Sequence, residues 1–427
     1  MRSPVILSDI NKRNRAGEAV AIPSVCSAHP DVLAASLLLA RDLGRPVLIE
    51  ATSNQVNQLG GYTGMTPAAF IAFVRGIAAA HGVSPDLIVF GGDHLGPQVW
   101  RSESSDAAMA KAADLMRAYV EAGFTKIHLD CSEGCAGEPA QVDDETSARR
   151  SAELAAVCER HAPDRSGPLY VIGTEVPPPG GARASHEGQG IEPTDPARAR
   201  NTLDCHRRAF SAAGVSDAWP RIVGLVVQPG LEFAATHIDH FDMRTPATLS
   251  TALEADPHIC FEAHSTDYQR PEVFPELARR NFSALKVGPA LTFAYRQAIY
   301  ALDHVRAVLD PGQDGCAVAG VMEGLMLAND GNWRKHYSGT DDDLRIQRHF
   351  GYADRIRYYW HEPAAQVAVE GLLDALAGKD AVEPVLRQHF CEETIEAAEA
   401  LTGAAGSWPK ALVWAEIQRA LRPYFFG

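Results

Sequence analysis

Residues 87–97 read LIVFGGDHLGP: a short apolar run, two glycines, and then an aspartate and a histidine. A continuous apolar run of this length, rich in β-branched and aromatic side chains, is typical of a strand that is buried on both faces. Asp93 and His94 follow where the strand ends, and the flanking glycines let the backbone approach another group closely. The stretch therefore predicts a buried parallel strand that brings two reactive side chains to one end of a sheet.

Seven further runs of this kind occur along the chain, separated by helix-like stretches such as 30–43 and 106–122. The eight runs cover residues 19–25, 46–51, 87–92, 126–130, 169–175, 222–228, 259–263 and 284–288. Strands that alternate with helices form a parallel sheet, and eight such units predict an α/β fold of the (β/α)8 TIM-barrel type. A doubly wound open sheet is the alternative.

A polar residue closes each predicted strand, and this favours the barrel. The closing residues are Ser24, Glu50, Asp93, Asp130, Glu175, Gln228, His264 and Lys286. A barrel gathers the carboxyl ends of all its strands around one mouth, whereas an open sheet would scatter them.

The strand pattern ends near residue 300, and helical patterns such as 364–376 and 392–401 dominate beyond it. We therefore expect an N-terminal segment at 1–17, a barrel with the active site at 18–305, and a helical C-terminal extension packed on the barrel at 306–427. The glycine-rich segment 180–193, close behind the fifth strand, is expected to form a lid.

The composition indicates an ordinary globular protein and argues against several classes. The 427 residues are 46% hydrophobic and 22% charged, and the net charge of −15 would repel nucleic acid. No apolar stretch reaches the about 18 residues of a membrane span. The N-terminus lacks a signal-peptide pattern, and the eight cysteines are scattered without a C-x-x-C pair. We expect a cytoplasmic protein.

Neither a P-loop nor G-x-G-x-x-G occurs, so no nucleotide cofactor is expected.

Two clusters carry residue types that suit metal chemistry. Asp93 and His94 are adjacent, and Glu262 and His264 are two apart, so the second pair shares one strand face. A carboxylate beside an imidazole suits a divalent metal. The alternatives are a helix cap by Asp93 beside a solvated His94, and a buried His264 that is satisfied by Glu262. His128, on the fourth strand, is expected to be a satisfied core histidine rather than a ligand.

Residues that suit a sugar phosphate surround these clusters. Lys286 and Gly288 end the eighth strand, where barrel loops often hold phosphate, although Lys286 could instead form a Schiff base. Arg357 could reach a phosphate or simply anchor the extension. The residues expected to contact substrate or its phosphate are Ser27, Glu50, Asn54, Asp130, Ser265, Thr266, Lys286, Gly288 and Arg357.

Longer motifs resemble one known family. They are SVCSAHP (24–30), EATSNQVNQLGGYTGMTP (50–67), GGDHLGP (91–97), GTEVPPPGG (173–181), FEAHSTDYQ (261–269), LKVGPALTF (285–293) and DRIRYYW (354–360). Through them nearly the whole chain resembles the tagatose-bisphosphate aldolase Z-subunit family, which is also labelled tagatose-6-phosphate kinase. Some members of that family are described as non-catalytic partners of an aldolase subunit, and others act as epimerases at C4 of ketohexose 6-phosphates.

The family is distantly similar to class II, metal-dependent aldolases, which are (β/α)8 barrels. That resemblance implies that Asp93 is an acid/base and that His94 and His264 are metal ligands. The third metal histidine of the class II pattern falls near Gln228, which is not a histidine. We therefore expect Glu175 or Gln228 to complete the metal shell.

Inversion at C4 of a 2-ketose requires cleavage of C3–C4 or a transient oxidation, because the carbonyl acidifies the proton at C3 but not the one at C4. Oxidation would need a nicotinamide fold, and its motif is absent. We therefore expect an isomerase, a D-tagatose 6-phosphate/D-fructose 6-phosphate 4-epimerase that works by retro-aldol and aldol steps.

The hypothesis assigns roles to two groups of residues. A divalent metal, Zn²⁺ or else Mn²⁺, Co²⁺ or Ni²⁺, is expected on His94, His264, Glu175 and Gln228. Proton transfers are expected from Asp93, Glu262 and Asp267. The alternative function is a non-catalytic stabilising subunit of a class II D-tagatose-1,6-bisphosphate aldolase. The expected protein partners are further copies of this chain or an aldolase catalytic subunit.

Overall fold

Eight parallel strands form a closed barrel in the computed structural model, which describes residues 3–163, 167–174, 191–310 and 317–427. The described residues contain these eight strands and two short ones outside the barrel. In chain order the strands are β1 (Ile22–Cys26), β2 (Val47–Thr52), β3 (Ile88–Leu95), β4 (Lys126–Leu129), β5 (Leu169–Ile172), β6 (Ile222–Val226), β7 (Glu232–Phe233), β8 (Ile238–Asp239), β9 (Cys260–Ala263) and β10 (Phe282–Val287). Around the barrel the order is β1, β10, β9, β6, β5, β4, β3, β2. The predicted (β/α)8 barrel is confirmed, and the open sheet is wrong. The small antiparallel pair β7–β8, which follows β6, was not predicted.

Helices surround the barrel and make up the region that follows it. They are α1 (Ser3–Arg15), α2 (Pro30–Leu43), α3 (Pro67–Ala80), α4 (Ser105–Ala122), α5 (Asp144–His161), α6 (Pro196–Ala212), α7 (Val273–Arg279), α8 (Pro289–Leu309), α9 (Ala317–Ala328), α10 (Asp341–Phe350), α11 (Pro363–Ala377), α12 (Glu383–Leu386), α13 (Glu392–Ala405) and α14 (Trp408–Leu421). Local sequence sets their ends. For example, the Ser104 hydroxyl accepts the Ala107 N–H before α4, and Gly123 ends that helix at φ 99°.

The inside of the barrel changes character along its axis. At the amino end of the strands the inward residues are apolar, namely Ile22, Leu48, Val89, Val171 and Ala284, and they pack against Ile6, Leu7 and Ile10 of α1. Two positions further along the strands the same face carries Ser24, Glu50 and Lys286, because strand side chains repeat every second residue. Helix α1 therefore closes an apolar floor, and the polar groups lie above it.

The region after the barrel packs against the first and last helices around it. In α14, Trp414 Nε1 donates to Asp31 Oδ1 at 2.7 Å and Gln418 Nε2 donates to the Ala35 carbonyl at 3.0 Å. Nearer the mouth, Arg296 Nε of α8 donates to Asp354 Oδ1 at 2.9 Å, which fixes the short 3₁₀ turn that follows, Arg355–Tyr359. This region is helical, as predicted. The division into 1–17, 18–305 and 306–427 stays a prediction.

The described ranges contain no helix that is both long and apolar enough to cross a membrane. The location in the cytoplasm stays a prediction.

Candidate active site

A layer of four charged side chains crosses the barrel above its apolar floor. Lys126 Nζ lies 2.5 Å from Glu50 Oε1 and 2.8 Å from Glu262 Oε2, and Lys286 Nζ lies 3.3 Å from Glu50 and 3.1 Å from Glu262. All four side chains are buried, with no more than 4% of any residue exposed. Gly91 makes room for this layer, because a Cβ there would collide with the Glu50 carboxylate. Lys126 was missed, although its spacing of two residues from His128 puts both side chains on one face of β4.

Mutual attraction keeps Lys126, Lys286 and Glu262 of this layer ionised. Burial alone would lower the pKa of Lys286, but Asp93, Glu262 and Glu50 raise it well above its usual value. Burial would likewise raise the pKa of Glu262, but Lys126 and Lys286 hold it well below the ordinary range. A lysine held in its charged form is a poor nucleophile, which argues against the Schiff-base alternative for Lys286.

Four donor side chains lie together at the upper side of the charged layer, and one of them, Glu262, belongs to both sets. Asp93, His128, Glu262 and His264 each offer a ligand atom, and these atoms all lie within 4.8 Å of one another. His264 Nε2 is 3.1 Å from Glu262 Oε1, and His128 Nδ1 is 3.1 Å from Asp93 Oδ1. The other ring nitrogen of His128, Nε2, is buried and has no hydrogen-bond partner in the described part of the chain. Two imidazoles, two carboxylates and an unpartnered nitrogen fit a divalent metal. His128 is therefore not the satisfied core histidine that the sequence suggested.

His94 stands at the edge of this group. Its Nδ1 lies 2.9 Å from Asp130 Oδ2, and its ring centre is 5.2 Å from that of His128 and 5.1 Å from that of His264. A carboxylate behind one ring nitrogen orients the other, and His94 Nε2 lies 3.7 Å from Asp93 Oδ2. Burial would lower the pKa of His94, but Asp93 and Asp130 raise it. Asp130, expected to bind substrate, instead holds His94 and accepts the Ser132 hydroxyl at 2.6 Å.

The expected phosphate loop after β10 is arranged differently from the prediction. Asp267 Oδ1 accepts the N–H groups of Gly288 at 3.0 Å and Ala290 at 2.8 Å, so a carboxylate already caps α8 where a phosphate was expected. Burial raises the pKa of Asp267 to about 6 against the effect of these amides. The Thr266 hydroxyl donates to the Lys286 carbonyl at 2.6 Å and is fully buried. Only Ser265 of the predicted Ser265–Thr266 pair faces the cleft.

Two further predicted residues lie away from the metal-type group. Gln228 Oε1 accepts the N–H groups of Gly230 at 2.9 Å and Leu231 at 3.0 Å, so this side chain shapes its own loop. The Ser27 hydroxyl accepts the His29 N–H at 3.2 Å and lines a neighbouring cleft. Glu175, together with most of the expected lid at 180–193, lies outside the described residues.

A cleft opens above the group, lined by side chains from the strand ends and from the region after the barrel. Among the residues expected to act there, its lining includes Asn54, Asp93, His94, His264, Ser265, Asp267, Lys286, Gly288 and Arg357. Tyr62 and Tyr358, which the sequence did not single out, complete one wall. Arg357 donates to the Asp354 carbonyl at 3.1 Å and to Tyr358 Oη at 2.9 Å, so it both anchors its turn and faces the cleft.

Comparison with known proteins places the whole chain among close relatives. Residues 7–427 match the family model described as D-tagatose-1,6-bisphosphate aldolase subunit GatZ/KbaZ-like. The chain is 48% identical over 421 residues to a D-tagatose 6-phosphate 4-epimerase of Agrobacterium fabrum (strain C58 / ATCC 33970), covering 98% of this chain and 97% of that protein. It is 43% identical over 417 residues to the D-tagatose-1,6-bisphosphate aldolase subunit GatZ of Escherichia coli (strain SMS-3-5 / SECEC), covering 97% of this chain and 98% of the other.

A solved structure shares the fold across nearly the full length. It comes from Sinorhizobium meliloti 1021 and is described as a probable tagatose 6 phosphate kinase. The TM-score is 0.85 at 44% sequence identity, and the match covers 95% of this chain and 99% of that one.

Proposed function

Because the chain belongs to the GatZ/KbaZ-like family, we propose that it is an isomerase that inverts C4 of a ketohexose 6-phosphate, interconverting D-tagatose 6-phosphate and D-fructose 6-phosphate. The observation that carries this proposal is the buried group of Asp93, His128, Glu262 and His264 beneath an open cleft. Burying several charges and imidazoles is costly, and a protein that only stabilised a partner would gain nothing from it. The epimerase relative at 48% identity supports the same reading.

Charge and position divide the site into metal-holding and proton-transferring groups. We assign the metal to His94, His128 and His264 with the carboxylate of Glu262. This set replaces the expected Gln228 by His128, because Gln228 is held in its own loop. It takes Glu262 in place of the expected Glu175, which lies outside the described residues. A divalent ion bound there would polarise the C2 carbonyl and stabilise negative charge on its oxygen. The identity of the ion, Zn²⁺ or another divalent metal, is part of the proposal.

Asp93 takes the proton-transfer role because it lines the cleft, whereas Glu262 lies beneath it. Burial would raise the pKa of Asp93, but His94, Lys286 and a hydrogen bond from His128 hold it well below its usual value. The carboxylate is therefore ionised at neutral pH and able to accept the proton of the C4 hydroxyl as C3–C4 breaks. Lys126 and Lys286 keep Glu262 charged as a ligand. Asp267, which caps α8, is assigned no proton transfer.

Substrate contacts are assigned to groups that face the cleft. We assign the phosphate contact to Arg357 and Ser265 and a sugar-hydroxyl contact to Asn54, because all three line the cleft. Thr266, Asp130 and the N–H of Gly288 are excluded from this role because their hydrogen bonds are made within the protein.

The second candidate function is a stabilising subunit of a D-tagatose-1,6-bisphosphate aldolase. It is favoured by the GatZ relative, which is named as such a subunit and matches over nearly its whole length. The two functions differ in whether the isolated chain turns over substrate.

The deciding experiment incubates the purified chain, loaded in turn with Zn²⁺, Mn²⁺, Co²⁺ or Ni²⁺, with D-tagatose 6-phosphate and no nucleotide. Coupled detection of D-fructose 6-phosphate is expected with at least one metal, and Asp93→Asn is expected to abolish it. Product with no metal at all, or only with ATP, would contradict the mechanism. No product with any metal would favour the subunit role.

A further inference from the structure

Tyr358 occupies an unusual place on the cleft wall. Its ring centre lies 4.4 Å from the Arg357 guanidinium and 5.0 Å from that of Arg355, and the edge of Tyr62 meets it with ring centres 5.0 Å apart. The residue belongs to the turn that follows the barrel, whereas Asp93 reaches the same cleft from a barrel strand. A phenol thus faces the cleft from a different part of the chain than the carboxylate does.

The surroundings of this hydroxyl stabilise negative charge. Arg357 Nη2 donates to Tyr358 Oη at 2.9 Å, so the oxygen accepts there and keeps its own proton for another partner. Burial would raise the pKa of Tyr358, but Arg357 and Arg355 outweigh it and leave the pKa below the ordinary value. The neighbouring Tyr62 shows the contrast, because burial and the nearby Tyr358 raise its pKa to about 12. Of the two phenols on this wall, Tyr358 is the one suited to exchanging a proton.

The proposed reaction needs such a group. In the two C4 epimers the oxygen O4 points to opposite sides of the carbon chain, so a single fixed carboxylate meets it in only one of them. We propose that Tyr358 is the second proton-transfer group of the C4 inversion, serving the epimer whose O4 points away from Asp93. This inference rests on the proposed function.

The inversion proceeds by cleavage and re-formation of the C3–C4 bond. The Asp93 carboxylate takes the O4 proton, the O–H pair becomes the C4=O π bond, and the C3–C4 pair moves onto C3 and is delocalised towards O2. After the aldehyde turns over, that pair forms the bond to its other face, the π pair returns to O4, and O4 takes the Tyr358 proton. One proton then passes from Asp93 to the Tyr358 phenolate through water in the cleft. The reverse direction begins with protonated Asp93 and the Tyr358 phenolate.

Two other acidic groups near the cleft are less suitable. Asp267 Oδ1 is held by two backbone N–H groups at the start of α8. Glu232 is buried, with 3% exposed, and its carboxylate accepts the Phe233 N–H at 3.0 Å rather than lining the cleft. Tyr358, by contrast, lines the cleft and keeps its own proton while its oxygen accepts from Arg357.

The test compares two adjacent tyrosines. Tyr358→Phe is expected to lower kcat by about 100-fold or more while KM changes little, because only a proton transfer is removed. Tyr359→Phe is the matched control, since the Tyr359 hydroxyl donates to the Asn329 carbonyl outside the cleft. It is expected to lower the melting temperature and leave kcat unchanged. Tyr358→His, which keeps a titratable group, is expected to recover part of the lost rate.

A partial reaction gives a second readout. Cleavage without inversion releases dihydroxyacetone and glyceraldehyde 3-phosphate, and Tyr358→Phe is expected to release them from only one of the two epimers. An unchanged kcat, or a raised KM with unchanged kcat, would overturn the inference and show a role in binding alone. Activity in neither wild type nor Tyr359→Phe would instead remove the proposed function, and this inference with it.

Discussion

His128 illustrates how a single side chain decides between a structural and a chemical role. It offers a ligand atom beside three other donors, and its Nε2 has no hydrogen-bond partner among the described residues, so we expect His128→Phe to remove bound metal and nearly all turnover. The loss of the contacts with Asp93 and the His94 N–H is expected to cost about 1–3 kcal/mol of stability, which leaves the chain folded. Metal content per folded chain, measured by elemental analysis, is the readout. His206→Phe, another buried histidine, is the control, and equal metal in both variants would contradict the assignment.

Lys126 contributes to the stability of the fold, because it neutralises two buried carboxylates at once. Lys126→Met leaves Glu50 and Glu262 sharing only Lys286, and the expected loss is about 3–5 kcal/mol in the free energy of unfolding. Adding Glu50→Gln should restore part of that loss, because it removes one of the carboxylates left without Lys126. Urea unfolding of the three proteins gives the values.

The surface pair Arg149–Glu153 supplies the comparison for Lys126. Its atoms lie 2.8 Å apart but both side chains are largely exposed, so Arg149→Met is expected to cost less than about 1 kcal/mol. A Lys126→Met variant as stable as Arg149→Met would show that the charged layer does not hold the barrel together.

At the scale of single elements, the chain just after β3 needs a glycine at position 96, because its backbone there passes close to the Asp130 backbone. A Cβ on Gly96 would overlap the Asp130 carbonyl oxygen, and backbone cannot move aside as a flexible side chain can. Gly96→Ala is therefore expected to destabilise the protein by about 1–3 kcal/mol and to displace Asp130 from His94. Gly76 in α3 has open space at the same position, so Gly76→Ala should stabilise by about 0.5–1 kcal/mol. Thermal melts of both variants test the contrast, and equal shifts would contradict it.

The elements also show what sequence patterns can and cannot predict. Eight apolar runs were enough for the barrel, and strand ends correctly brought Asp93, His264 and Lys286 to one cleft. Periodicity puts Lys126 on the face of β4 that carries His128, but it does not report that Glu50 and Glu262 of other strands meet Lys126 there. The capping of α8 by Asp267 could not be foreseen either, because it depends on the path of a loop.

Tyr358 was missed for a related reason. It lies more than 90 residues beyond His264 along the chain, in a segment whose helical pattern gives no sign of which turn covers the mouth. Contacts between distant segments are set by packing, here the bond from Arg296 to Asp354, rather than by local propensity.

For the molecule as a whole, the burial of His206 makes the free energy of unfolding depend on pH. It is fully buried in α6, and burial lowers its pKa from 6.5 to about 4. The unfolded chain therefore takes up a proton between these values while the folded chain does not. This contribution to stability is complete above pH 6.5 and is lost as the pH falls towards 4, by about 3 kcal/mol in total.

Urea unfolding between pH 7 and pH 4 checks this expectation. The free energy of unfolding is expected to fall less steeply with decreasing pH in His206→Phe than in the wild type. The difference between the two plots of unfolding free energy against pH gives the contribution of His206, because the carboxylates titrate in both proteins. Parallel curves would mean that His206 is protonated in the folded state.

The wall formed by Arg357 and Tyr358 comes from the region after the barrel, whereas the buried charges come from the strands. Evolution can consequently alter the two independently. Changes in the turn would modify which molecules are accepted, while the strands retain the costly internal ionic arrangement. A family that holds both an epimerase and an aldolase subunit has such a route for divergence.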